Sequence, residues 1–101
     1  TNLSVSDDQL KRFEASGWNT IAIDGHDHAA ISAAILKAKA DPSKPWLIAA
    51  RTIIGYGAPT KQGTKDTHGS PLGMEEVDRT RTALGWSAPP FEIPADILGA
   101  W

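Results

Sequence analysis

Residues 18–50, WNTIAIDGHDHAAISAAILKAKADPSKPWLIAA, decide the fold. Trp18 to Ile23 concentrates bulky and β-branched side chains, the composition that suits a pleated surface, and Asp24-Gly25 closes the run. Asp27 then stands where an N-cap belongs, with a side chain that can accept from the first free amides of a helix. Ile31, Ala34, Ile35 and Ala38 recur behind it at helical spacing, which predicts a helix from His28 to about Ala40, stopped by Asp41-Pro42. Trp46–Ala50 is apolar at consecutive positions, as expected of a strand covered on both faces in a parallel sheet. Strand, helix and strand in this order predict a right-handed βαβ unit and an α/β class.

Working outward, Ser6-Asp7-Asp8-Gln9 has the spacing of a capping box, with Val5 and Leu10 placed as a hydrophobic staple. It predicts a short helix from Asp7 with Leu10 and Phe13 facing inward, ended by Gly17 in the left-handed conformation. On the other side, residues 52–73 show no period and hold five glycines (Gly55, Gly57, Gly63, Gly69, Gly73) and two prolines (Pro59, Pro71). Loops longer than about 12–15 residues in compact domains are usually functional or unstructured. A last helix is predicted from about Met74 to Leu84, with Glu75, Glu76 and Asp78 early and Arg79 and Arg81 late, following the sign of the helix dipole, and Gly85 at its end. Residues 86–101 are rich in proline and aromatic residues, with a final turn after Pro94. Two parallel strands make a poor sheet, so further strands are expected from a longer chain.

Composition excludes several classes of function. The 101 residues contain no cysteine, so disulfides, zinc–thiolate sites and a thiol nucleophile are ruled out for this stretch. Net charge is −2, and each half of the chain carries five basic and six acidic residues, so neither a nucleic-acid face nor a polybasic membrane anchor stands out. The longest apolar run, Trp46–Ala50, is far short of the roughly 20 residues that cross a bilayer, and no signal-peptide pattern is present. The only methionine is Met74. A chain that starts at Thr1 is therefore expected to be a piece of a longer one.

In open α/β sheets, ligands bind beyond the carboxyl ends of the strands. Two segments occupy those ends. Asp24-Gly25-His26-Asp27-His28 has the residue types of a metal site, but the turn and N-cap account for both carboxylates, and no metal ligand is assigned. Ile53-Ile54-Gly55-Tyr56-Gly57-Ala58-Pro59 invites comparison with phosphate loops and fits neither common one, because Thr60 stands where a dinucleotide fingerprint needs glycine and Gln62 where a Walker loop needs its second glycine. Glycine here still lets a ligand approach the backbone closely. The long loop also carries His68, a group suited to moving protons and donating hydrogen bonds to anions.

Taken together, Ile21-Ala22-Ile23-Asp24-Gly25-His26-Asp27, Thr52-Ile53-Ile54-Gly55-Tyr56-Gly57, His68-Gly69-Ser70-Pro71-Leu72-Gly73, Leu84-Gly85-Trp86 and Phe91-Glu92-Ile93-Pro94 resemble the transketolases, in that order and over essentially the whole chain. The resemblance implies part of a parallel-sheet thiamine diphosphate-binding fold: a βαβ unit, a long active-site loop and a C-terminal helix. Residues 1–86 would be the C-terminal part of the diphosphate-binding domain and residues 87–101 the start of an interdomain linker. It also implies transfer of a two-carbon ketol unit from a ketose phosphate to an aldose phosphate, in the pentose phosphate pathway or the Calvin cycle. The cofactors implied are thiamine diphosphate and a divalent cation, Mg2+ or Ca2+.

By this resemblance His68 contacts the cofactor diphosphate and helps position or protonate substrate, Ile54 lines the cofactor site, and Gly55 lies beside it. Ser70 stands where the family commonly has alanine. The family's Gly-Asp-Gly motif, the asparagine that completes its metal site and the glutamate that activates the cofactor are absent from residues 1–101, so the metal ligands are expected outside this segment and the isolated chain is expected to be inactive. Thr1-Asn2-Leu3 corresponds to a flexible family loop and Trp101 to a linker, both weak points where a proteolytic product or an ordered section would end. The implied partners are the remaining segments of the enzyme, a second subunit of a homodimer and sugar phosphates, with no nucleic acid or membrane, in the cytoplasm. The rival readings are a related dihydroxyacetone synthase and a non-catalytic interaction fragment.

Overall fold

The computed structural model describes residues 4–101, and Thr1-Asn2-Leu3 lie outside them. The chain divides into two compact units, the first ending at Thr52 and the second running from Ile53 to Trp101.

In the first unit, α1 (Gln9–Ala15) is followed by β1 (Asn19–Asp24), α2 (His28–Ala40) and β2 (Trp46–Arg51). The two strands pair in parallel, with Asn19 opposite Trp46 and Asp24 opposite Arg51. Both helices pack on the strands. The βαβ reading therefore holds, with each strand one residue longer at its C-terminal end than the apolar runs imply. No residue of β2 is buried among the described residues.

Two expectations are corrected. Asp8, not Ser6, caps α1: its carboxylate accepts from the Lys11 amide at 3.1 Å, and the helix starts at Gln9. Gln9 accepts from the Arg12 guanidinium instead of reaching back to a serine. An ionised carboxylate at this position satisfies a free amide and also complements the helix dipole, which a hydroxyl does not. In α2 the inward face centres on Ala34, only 1% exposed, with Ile31 and Ala38 half-buried, whereas Ile35 is 47% exposed. Alanines at 30, 34 and 38 lie one above another at i, i+4 spacing and let the helix sit close to the strands, which turns Ile35 outward.

The end of α1 keeps its expected form and adds a tertiary element. Gly17 is left-handed (φ +85°), its amide bonds to the Glu14 carbonyl at 2.9 Å, and the Trp18 amide bonds to the Phe13 carbonyl at 3.0 Å. This is a Schellman closure with its apolar contact: the Phe13 and Trp18 rings meet edge to face, 5.1 Å between centroids at 76°. Around β2, the Trp46 indole N–H donates to the Asp41 carbonyl at 2.9 Å, and Lys37 lies 5.6 Å over the same ring.

In the second unit the long loop leads to a one-turn helix, α3 (Asp66–Gly69), then α4 (Met74–Ala83) and α5 (Ala95–Gly99). The α4 and α5 predictions hold. α3 was not expected, because four residues carry no detectable period. α4 ends as α1 does: Gly85 is left-handed, its amide bonds to Thr82, and the Trp86 amide bonds to the Arg81 carbonyl at 2.8 Å.

The cap on α2 is the local feature most open to test. The Asp27 carboxylate accepts from the Ala29 and Ala30 amides at 2.9 and 3.1 Å. Asp27→Ala is expected to weaken the helix start by about 1 kcal/mol, read as roughly fivefold faster hydrogen exchange at those two amides. Unchanged exchange would mean that the cap does not hold this helix.

Candidate functional site

Ile54 to Gly63 form a closed loop. Its neck is fastened by the Gly63 amide donating to the Ile54 carbonyl at 2.8 Å, and inside it Ala58 and Gln62 donate to the carbonyls of Gly55 and Ala58 at 3.0 and 2.9 Å. The Gln62 side chain accepts from the Gly57 amide at 2.8 Å. Ala58 sits at the bottom, buried to 1% exposure. These bonds pair part of the loop's backbone within the loop itself.

The segment from Thr64 to Ser70 lies against it. The Thr67 hydroxyl donates to the Thr64 carbonyl at 2.9 Å and the His68 amide donates to the Lys65 carbonyl at 3.0 Å, which winds α3. Gly55 is left-handed (φ +65°), and a β-carbon there would stand 2.5 Å from Cγ2 of Thr67. Only glycine allows that approach. The structure thus brings Gly55, the chain neighbour of Ile54, beside Thr67, the chain neighbour of His68. The His68 side chain is exposed, and Ile54 is 46% exposed.

Glu76, which its sequence context marks only as a helix-dipole partner, is 5% exposed, and its carboxylate accepts from the Thr60 amide at 2.8 Å. The Thr60 backbone N–H, aided by the Thr60 hydroxyl, the Lys61 amide and the Arg79 charge, outweighs burial and holds this carboxyl below its ordinary range. A second tie runs from Lys61 Nζ to the Leu72 carbonyl at 2.8 Å. Leu84 packs where a side chain on Gly57 would stand. One turn on, the Thr80 hydroxyl donates to the Glu76 carbonyl, and no local sequence signal marks the Glu76 carboxylate as buried.

The Asp24–His28 cluster behaves as a turn and a cap. Asp24 accepts from the His26 amide at 2.9 Å, Asp27 is used by α2, and among the described residues no group of three or more His, Asp or Glu side chains is placed to hold a metal ion.

Two outcomes follow from this geometry. Gly55→Ala is expected to destabilise the second unit by about 2 kcal/mol, from left-handed strain and overpacking. Adding Thr67→Ser removes the clashing methyl and should recover part of the loss in denaturant unfolding; no recovery would place the strain elsewhere. Glu76 has a depressed pKa when folded, so its contribution is complete above the ordinary glutamate value of about 4.3 and is lost as pH falls through the lower folded value. The Thr60 amide resonance should inflect below that ordinary value, and an inflection at or above it would contradict the assigned bond.

A family model described as "Transketolase, thiamine diphosphate binding domain" matches residues 1–101. The chain is 59% identical over 97 residues to transketolase 1 of Vibrio cholerae, covering 95% of this chain and 15% of that protein. The solved transketolase of Campylobacter jejuni superposes with a TM-score of 0.84 at 35% identity, covering 94% of this chain and 15% of that one. A Pichia stipitis transketolase, solved in complex with sedoheptulose 7-phosphate, gives a TM-score of 0.85 at 32% identity, covering 99% of this chain and 15% of that one. The chain thus spans about 15% of the length of the relatives it matches. On sequence and fold together, it belongs to the transketolase family, within the thiamine diphosphate-binding domain.

Proposed function

We propose that this chain is a segment of an enzyme that moves a two-carbon ketol unit from a ketose phosphate to an aldose phosphate, with His68 at the cofactor diphosphate. The observation that carries this reading is the approach of Gly55 to Thr67, which sets Ile54 and Gly55 beside the turn that bears His68. The donor set suits a diphosphate: an exposed imidazole for an oxyanion, a half-buried glycine with no side chain of its own, and an open isoleucine for an apolar ring.

Ile54, Gly55 and His68 would hold thiamine diphosphate, which when bound supplies the electron sink for breaking and forming the carbon–carbon bond. His68 holds a proton on a ring nitrogen and donates that N–H to a phosphate or substrate oxygen, positioning the substrate and protonating it where charge develops. Ile54 keeps water from the apolar side of the site. The sugar phosphate in the Pichia stipitis complex supports this substrate class. The divalent cation, Mg2+ or Ca2+, takes its ligands from outside residues 1–101. A second subunit completes a homodimer in the cytoplasm, serving the pentose phosphate pathway or the Calvin cycle. Residues 1–86 complete the diphosphate-binding domain and residues 87–101 begin the linker.

In the complete enzyme carrying this segment, His68→Ala is expected to lower kcat/KM for ketol transfer by about 10²–10⁴-fold, measured with a ketose phosphate donor and an aldose phosphate acceptor. Wild-type turnover would remove His68 from the site. Residues 1–101 alone are expected to give no turnover.

A further inference from the structure

We infer that Glu76 is a positioning residue for the cofactor site: its carboxylate clamps the Ile54–Gly63 loop so that Gly55 stays against Thr67, next to His68 in the chain. The inference deepens the proposed function and rests on it.

A carboxylate on the first turn of α4 gains from the helix dipole while still solvated, so nothing about the helix requires Glu76 to be buried. It is nevertheless 5% exposed, and burying a carboxylate is unfavourable unless hydrogen bonds replace water. The replacement is the Thr60 amide, sixteen residues earlier in the chain, at 2.8 Å. The neighbouring Glu75 does the opposite, remaining exposed and pairing with Arg79 along the helix surface.

What the bond holds matters more than its strength. The hydrogen bonds of the loop at Gly57, Ala58, Gln62 and Gly63 all close on residues 54–63, so they shape the loop without fixing its place. Its place depends on ties to residues outside it. They include Glu76 to Thr60, Lys61 Nζ to the Leu72 carbonyl, the Thr64 amide and hydroxyl to the Lys61 carbonyl, and the packing of Leu84 on Gly57. Glu76 is the buried charged member of that set. A loop that moves as a body carries Ile54 and Gly55 with it, and the Gly55–Thr67 approach leaves little tolerance, since the two are already in close contact. Misplacement of a binding group by about 1 Å can cost on the order of 10²-fold in rate.

The test uses the complete enzyme with Glu76→Ala, Glu76→Gln, Glu76→Asp and His68→Ala side by side, reading thiamine diphosphate affinity by titration of the apoenzyme, kcat/KM for ketol transfer, and Tm. Glu76→Ala should weaken cofactor binding and lower kcat/KM by about 10–100-fold. Glu76→Gln keeps an oxygen that accepts from Thr60 and should remain within about threefold of wild type. Glu76→Asp draws the carboxylate back by one methylene and should fall between them, which keeps the test decisive if the alanine variant does not fold. A lower Tm with wild-type cofactor affinity and turnover in the alanine or aspartate variant would overturn the clamp, because that is the signature of packing alone. Loss in Glu76→Gln equal to that in Glu76→Ala would overturn it too. If His68→Ala retains wild-type turnover, the reading of the site fails first; an impaired His68→Ala beside an unaffected Glu76→Ala sinks the clamp alone.

Discussion

A carboxylate buried to 5% exposure must be answered by hydrogen bonds, and the second unit is organised around that requirement at Glu76. The Thr60 amide supplies the answer and with it joins the loop at residues 54–63 to α4. The other features of the unit follow in turn. The loop closes on itself through Ile54 and Gly63, Lys61 reaches the Leu72 carbonyl just before α4, and Leu84 at the far end of the helix occupies the space left by Gly57. One ten-residue helix thus supplies a charge at its start and a methyl group after its end, and the loop rests between them. A loop so rich in glycine gains few side-chain contacts of its own, so its position has to come from fixed neighbours.

The same solution ends two helices. α1 and α4 each stop at a left-handed glycine followed by tryptophan, at Gly17-Trp18 and Gly85-Trp86, with paired backbone bonds that return the chain to the last turn. After α1 the tryptophan meets Phe13, and β1 begins at the next residue. The closure therefore fixes both where the helix stops and the direction in which the strand leaves. This is a local arrangement with a longer-range effect, because a strand whose entry is fixed pairs in one register, Asn19 opposite Trp46.

Much apolar surface stays open among the described residues. The buried hydrophobic side chains are Ala34 and Ala58, both small, while Ile35, Leu36, Ile93 and Leu98 are exposed. A helix such as α2, apolar on most of its circumference, has the composition of one that packs on more than one side. The chain spans about 15% of the length of the relatives it matches.

The residues by themselves determined those features that depend on short-range rules. Asp27 as a cap, Gly17 and Gly85 as helix ends, the strands around Ile21 and Ile48, and the parallel pairing all follow from propensity, spacing and chain direction, because each is settled within a few residues or by connection length. The same holds for the order of motifs that places the chain among the transketolases. Competition between neighbours was not legible: the capping-box spacing pointed to Ser6, and only the geometry of the first turn gave the cap to Asp8. Nor was the turn of α2 that faces Ile35 outward, since an all-round apolar helix carries no phase. The role of Glu76 belongs wholly to the tertiary structure. Its sequence context is that of a solvated dipole partner, and nothing in residues 74–78 indicates that an amide sixteen positions away will displace the water. Local energetics can be read along the chain, whereas the desolvation of a charge depends on what folds over it.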